Sequence, residues 1–208
     1  MKIIIEGYQA SWVNAFHREE EIIASVLIAF SPAIEHIGST AISGLCAKPT
    51  IDILVGLRDE IQLDKTVAPM IAAGYTYFKK YEPAMPYRRL FAKLRALTDT
   101  ALPEIIGVHD EFIRGQEFIA AANIHVIAKD TSHWRRHLAF RDFLRAHTDL
   151  RDEYAQLKQE LSKHEFKDTN EYNRAKDSFI KRVEEQALAW YTGQHKAGEG
   201  TQGGGPIG

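Results

Sequence analysis

The chain has 208 residues, with 26 Lys plus Arg against 28 Asp plus Glu and a formal net charge of −2. That balance excludes the global basic excess that nonspecific nucleic-acid binding needs, and 45% hydrophobic with 26% charged residues excludes a disordered chain. One cysteine, Cys46, excludes an internal disulfide and fits a reducing compartment.

At the amino end, Met1 to Glu6 becomes charged too soon for a signal peptide. The most apolar run, near Ile22 to Phe30, falls well short of the roughly 20 residues that span a bilayer. A cytoplasmic protein without a membrane partner is expected. Ser11 is placed to cap a helix from Trp12 to Phe30, in which Trp12, Phe16, Ile23 and Leu27 share one face. Ser31-Pro32 ends it. Ala33 to Ile37 reads as a strand, and Thr50 to Val55 as a second. A helix from Glu60 to Ala73 is stopped by Gly74. Tyr75 to Tyr81 alternates like an exposed strand, and Tyr87 to Leu94 is another strand.

Glu111 to Ala122 reads as helical, and Asn123 to Ala128 as the last strand of the sheet. From Thr131 or Ser132 the pattern turns helical, with Trp134, Leu138 and Leu144 on the buried side. Leu150, Tyr154, Leu157 and Leu161 step along a second helix. Asp168 to Glu171 starts a third like a capping box, with a stripe of Tyr172, Ala175, Phe179, Val183, Ala187 and Trp190. Three parts follow: an α/β core over 1–130, a helical part over 131–192 packed on it, and a flexible glycine-rich tail over 193–208.

The informative stretch runs from His36 to Val55. His36-Ile37-Gly38-Ser39-Thr40 leaves one strand, Gly44 turns the chain, and Lys48-Pro49 precedes the next. Asp52 then stands in the middle of an apolar strand. An ionised carboxylate there is costly unless it is paired, hydrogen-bonded or bound to a cation.

A strand ending in Gly-Ser, a loop, then a strand with an acid resembles the nucleotidyltransferase superfamily typified by DNA polymerase beta. The fuller string, with Gly44-Leu45-Cys46-Ala47-Lys48-Pro49-Thr50-Ile51-Asp52-Ile53, resembles the GrpB family within it. Arg88-Arg89, Ile124-His125-Val126, His137 to His147, Tyr154 to Lys158 and Tyr172 to Ile180 extend the likeness to about Tyr191. The resemblance implies a small mixed β-sheet with flanking helices. It also implies a phosphate-holding turn at Gly38, Ser39 and Thr40, and a nucleotide or other phosphorylated small molecule as partner. Some members are fused to dephospho-CoA kinase, which points to coenzyme A-related ligands.

Superfamily catalysis uses Mg²⁺ or another divalent metal held by two acids two residues apart, with a third from a neighbouring strand. Asp52 fills the first place, Leu54 the second, and His125 is the expected match for the third. Asp52 and His125 are therefore the candidate catalytic pair, with Asp52, His36 and His125 as candidate metal ligands. Lys48 and Arg88 are candidate phosphate binders. Each residue also has a plain structural role open to it. Asp52 can pair with Lys48 or Arg88, either histidine can be a hydrogen-bonded core residue, and the Arg88-Arg89 strand can be a charged edge. Arg135, Arg136, Arg141 and Arg145 read as a solvated helix face, and Cys46 as packing. Two functions follow: metal-assisted nucleotidyl transfer to a small acceptor, or a noncatalytic nucleotide or coenzyme A-related binding module that has lost the second acid.

Overall fold

A computed structural model describes residues 2–110, 112 and 117–199. Five strands form one mixed sheet: β1 (Ala33–Ile37), β2 (Ile51–Leu57), β3 (Thr76–Tyr77), β4 (Arg88–Ala96) and β5 (Phe118–Ala128). Their spatial order is β1-β2-β5-β4-β3. β2 and β5 run parallel, and the other neighbours are antiparallel. Six helices accompany them: α1 (Ser11–Val26), α2 (Val67–Ala72), α3 (Ser132–Ala146), α4 (Thr148–Ser162), α5 (Thr169–Ala175) and α6 (Asp177–Glu199). Among the described residues no helix is long and apolar enough to cross a membrane.

Strand register gives the sheet two unlike faces. Ile51, Ile53, Val55, Ala122, Ile124, Val126 and Phe91 are buried together with Trp12, Phe16 and Ile23 of α1, Leu27 just after it, and Met70 of α2. Full burial of such a side chain contributes about 1.5–3 kcal/mol, so this layer anchors the fold. The opposite face carries Asp52, Leu54, Asn123, His125, Arg88 and Leu90, which the register lines up across three strands. Part of it is roofed by α3: Trp134 and Leu138 pack on Ile37, Leu54 and Ile127. Gly56 permits this, because a Cβ there would lie 2.6 Å from the Trp134 ring. The rest of that face is open.

The late helices close around the open part. Ala139, Phe143, Tyr154, Phe179 and Val183 share a cluster with Ile42 and Leu45 of the β1–β2 connection. The helical part is thus bound to the loop that holds Gly38 and Ser39. Thr131 caps α3 by accepting from Trp134 N at 3.2 Å, and Asp168 caps α5 by accepting from Glu171 N at 2.8 Å.

Several elements differ from expectation. The stretch from Glu60 to Ala73 forms two 3₁₀ turns, Glu60–Gln62 and Asp64–Thr66, followed by the short α2. The Tyr75 to Tyr81 strand shrinks to Thr76–Tyr77, and Tyr75, Tyr77 and Phe78 are buried rather than exposed. Phe118 to Ala122 is strand and not helix, because it pairs with β4 as far as Ala96; residues 111 and 113–116 of the expected helix lie outside the described residues. The connection after β4 lays Glu104 to Ile106 along β3, with Tyr77 N donating to Glu104 O and Ile106 N to Tyr77 O, both at 2.8 Å. The third late helix breaks at Lys176 into α5 and α6, and α6 continues through 193–199, where the tail was expected. Residues 200–208 lie outside the described residues.

Candidate functional site

The open face and the late helices enclose a cavity of about 440 Å³. Its floor is the sheet: Thr50 and Asp52 of β2, Asn123 and His125 of β5, Arg88 and Leu90 of β4. Ser39, Thr40, Ala47 and Lys48 line one side. Lys158 of α4, Thr169, Asn170, Tyr172 and Asn173 of α5, and Lys176 form the roof, with Tyr81 and Met85 opposite.

Gly38 has φ +71°, and a Cβ there would sit 2.5 Å from Asp52 Oδ2. Only glycine allows both the backbone conformation and the approach. The chain then enters the turn Ser39–Ala41. Arginines of α3 fasten this turn from behind. Arg145 donates to Ala41 O at 2.7 and 3.1 Å, and Arg141 donates to His36 O at 3.0 Å and Glu35 Oε2 at 2.7 Å. Arg141 is therefore buried and not part of a solvated face, and it also pairs with Asp142.

Asp52 Oδ1 accepts from Asn123 Nδ2 at 2.8 Å. The strand register puts Asn123 directly beside Asp52, and His125 beside Leu54. The neighbour-strand position matching Asp52 is thus an amide, not His125. Arg88 Nη1 donates to His125 Nδ1 at 3.1 Å. A guanidinium has no lone pair to offer, so this contact fixes His125 as the neutral tautomer carrying its proton on Nε2. His125 therefore presents an N–H donor.

His36 belongs elsewhere. It faces away from Asp52, stacks on Phe16 with centroids 4.7 Å apart, and bonds Thr40 Oγ1 through Nε2 at 3.0 Å. Burial first, then Arg145, Arg141 and His17, lowers its pKa to about 4. The expected grouping of His36 with Asp52 and His125 does not form, because residues 36 and 52 point to opposite faces of the β1–β2 pair. Arg89 also takes the far face, bonded to Asp64 at 2.7 Å. Arg88 alone of that pair reaches the cavity.

Leu54, where a second acid would stand, is fully buried among Ile37, Ile127, Trp134 and Leu138. Glu35 is paired with Arg141, and Asp110 accepts from Gly107 N at 2.6 Å; neither lines the cavity. Asp52 is the one carboxylate among the described lining residues. Among the described residues no group of three His, Cys, Asp or Glu is placed to hold a metal ion. Mg²⁺ favours octahedral oxygen coordination. One carboxylate bonded to an amide, beside a tautomer-locked histidine and several cations, does not suit it.

The cations include two side chains not singled out from the sequence. Lys158 is 2% exposed. Its Nζ donates to Ser39 Oγ at 3.0 Å and to Cys46 O, and lies 4.4 Å from the Tyr154 ring centroid. Burial lowers its pKa to about 7. Lys176 stands at the α5–α6 break with Nζ 4.2 Å from the Tyr172 ring centroid. Burial lowers its pKa to about 8, against the attraction of Asp52. Among the described residues, the buried Arg88 Nε and Tyr172 Oη have no hydrogen-bond partner, and both atoms are sealed from solvent. A buried unsatisfied donor costs about 1–3 kcal/mol.

A family model described as "GrpB protein" matches residues 2–186. A UPF0157 protein of Halalkalibacterium halodurans is 35% identical, over 90% of this chain and 83% of that protein. A UPF0157 protein of Bacillus subtilis is 33% identical over 94% of this chain; the match spans half of that relative's length. A crystal structure of the conserved protein GrpB from Enterococcus faecalis superposes with a TM-score of 0.70 at 28% identity, covering 90% of this chain and 99% of that one.

Proposed function

For a chain that belongs to the GrpB family, we propose that the cavity binds a phosphorylated small molecule, a nucleotide or a coenzyme A-related compound. The observation that carries the reading is charge. Lys48, Arg88, Lys158 and Lys176 line one cavity with, among the described residues, a single carboxylate, Asp52, in a protein whose net charge is −2. Like charges brought together and partly buried cost stability unless an anion joins them.

Phosphate suits the donor set. Lysine and arginine form charge-assisted hydrogen bonds of about 1.5–3 kcal/mol, and Ser39 adds a hydroxyl. About 440 Å³ lies within the usual span of small-molecule sites. Neutral His125, with Nε2–H, is a further donor.

Metal-assisted nucleotidyl transfer is the competing reading, and the close approach of Gly38-Ser39 to Asp52 is what favours it. Leucine at position 54 under Trp134 speaks against it, as does the amide beside Asp52. The binding-module reading is therefore preferred. Calorimetric titration with a panel of nucleotides and coenzyme A precursors, with and without Mg²⁺, tests it. Binding that is lost in Arg88→Ala supports the cavity as the site. A folded protein that binds no member of the panel overturns the reading for those ligands.

A further inference from the structure

Lys158 and Lys176 come from the helical part and meet Ser39 and Asp52 of the sheet part across one cavity. Lys158 reaches from α4 through an apolar surround to the phosphate-turn serine. Lys176 follows the last residue of α5, one helical turn after Tyr172. Residues four apart share a helix face, so Lys176 and Tyr172 roof the cavity together. Tyr172, 4% exposed, lines the same space, with its hydroxyl sealed from solvent.

We propose that the cavity takes a single phosphomonoester group without a divalent metal, its charge neutralised by the paired amines of Lys158 and Lys176. The inference rests on the phosphorylated-ligand reading and narrows it. A phosphomonoester carries about −1.5 to −2 at neutral pH, which the two protonated amines of Lys158 and Lys176 match. A triphosphate brings more charge and is ordinarily accompanied by Mg²⁺, for which the donor set is poor. Arg88 lines the same cavity, and its guanidinium can donate to the phosphate oxygens.

Proton uptake follows from the same geometry. The groups facing Lys158 are Ser39, Cys46 and Tyr154, with Lys176 opposing its charge. Those facing Lys176 are Asp52, Lys48 and Tyr172. Both amines lose part of their charge near neutral pH in the ligand-free protein. A bound phosphate dianion restores it, so at pH 9, where the phosphate is already dianionic, binding draws protons from solution.

The test is calorimetry of the full chain with inorganic phosphate, adenosine monophosphate and adenosine triphosphate, each with EDTA and with Mg²⁺, at pH 6.5 and pH 9. The expected result is metal-independent binding of the monophosphates, with proton uptake at pH 9 seen as a dependence of the heat on buffer. Affinity falls by more than roughly 100-fold between the two pH values, and by roughly tenfold or more at pH 6.5 in Lys158→Met and in Lys176→Met, with melting curves confirming that both variants fold. Binding of the triphosphate only with Mg²⁺ overturns this inference and leaves the broader reading standing. Metal-free binding that ignores pH and both substitutions also overturns it. No binding of any probe overturns both.

Discussion

Replacing Lys158 by methionine is expected to make the protein more stable while weakening its hold on an anion. Lys158 is 2% exposed, and burial takes its pKa from 10.5 to about 7. At about 1.36 kcal/mol per unit, that shift corresponds to roughly 5 kcal/mol against the charged side chain at pH 6. The folded pKa of this base lies below the unfolded one. Between about pH 7 and 10.5 the unfolded chain therefore binds more protons, and stability rises with pH across that window. Below pH 7 the cost is fully present. Methionine keeps the stem and removes the charge, but it gives up the bonds to Ser39 Oγ and Cys46 O, about 1–2 kcal/mol each. A net gain of about 1–3 kcal/mol is expected at pH 6, vanishing or reversing by pH 10. Urea melts of both proteins at the two pH values decide it. A variant less stable than the parent at pH 6, or a difference that does not change with pH, would refute the reasoning.

Asp52→Asn is isosteric and removes the one carboxylate among the described lining residues. Metal-free phosphate binding should hold or tighten a few-fold in calorimetry, whereas a metal-bridged site would lose its ligand altogether. Leu54→Asp restores the second acid of the superfamily pattern but buries it under Trp134. A loss of about 4 kcal/mol or more is expected, visible as a lowered melting temperature; a stable variant that binds Mg²⁺ would count against the metal-free account. His36, with a folded pKa of about 4 against 6.5 unfolded, is a base held neutral. Its contribution is intact above pH 6.5 and is lost as pH falls to 4, about 3 kcal/mol in all. His36→Gln should flatten that part of the pH–stability curve, and an unchanged slope would contradict the burial argument.

The Gly38–Asp52 side of the cavity was readable from the sequence because its constraints are local. Gly38 is needed at a positive φ beside Asp52, and Asp52 is conspicuous in an apolar strand. Arg88 and Leu90 share a face by alternation alone, which also explains why Arg88 and not Arg89 enters the cavity. The roles of His36 and Asn123 depended on register between strands, which alternation within one strand does not supply. Asn123 lies two residues before His125, on the same face, and that spacing was its only signal. Lys158 and Lys176 were hidden for another reason. Lys158 is four residues after Tyr154 and so lies on the buried stripe of α4, but a lysine in a helix is ordinarily assigned to solvent. Lys176 is likewise four residues after Tyr172 and shares its face, but it too reads as a solvated lysine beside the apolar stripe of Tyr172, Phe179 and Val183. The connection after β4 was misjudged because pairing with β4 overrides the local helical pattern near Phe118.

A crystal structure of the protein soaked with tungstate, a phosphate analogue located by its anomalous signal, tests the central claim most directly. The expected result is one dominant peak within hydrogen-bond reach of Lys158 Nζ, Lys176 Nζ and Arg88, with no metal beside Asp52. Anion peaks confined to surface lysines, with the cavity holding only water, would contradict the assignment of this cavity as a phosphate site.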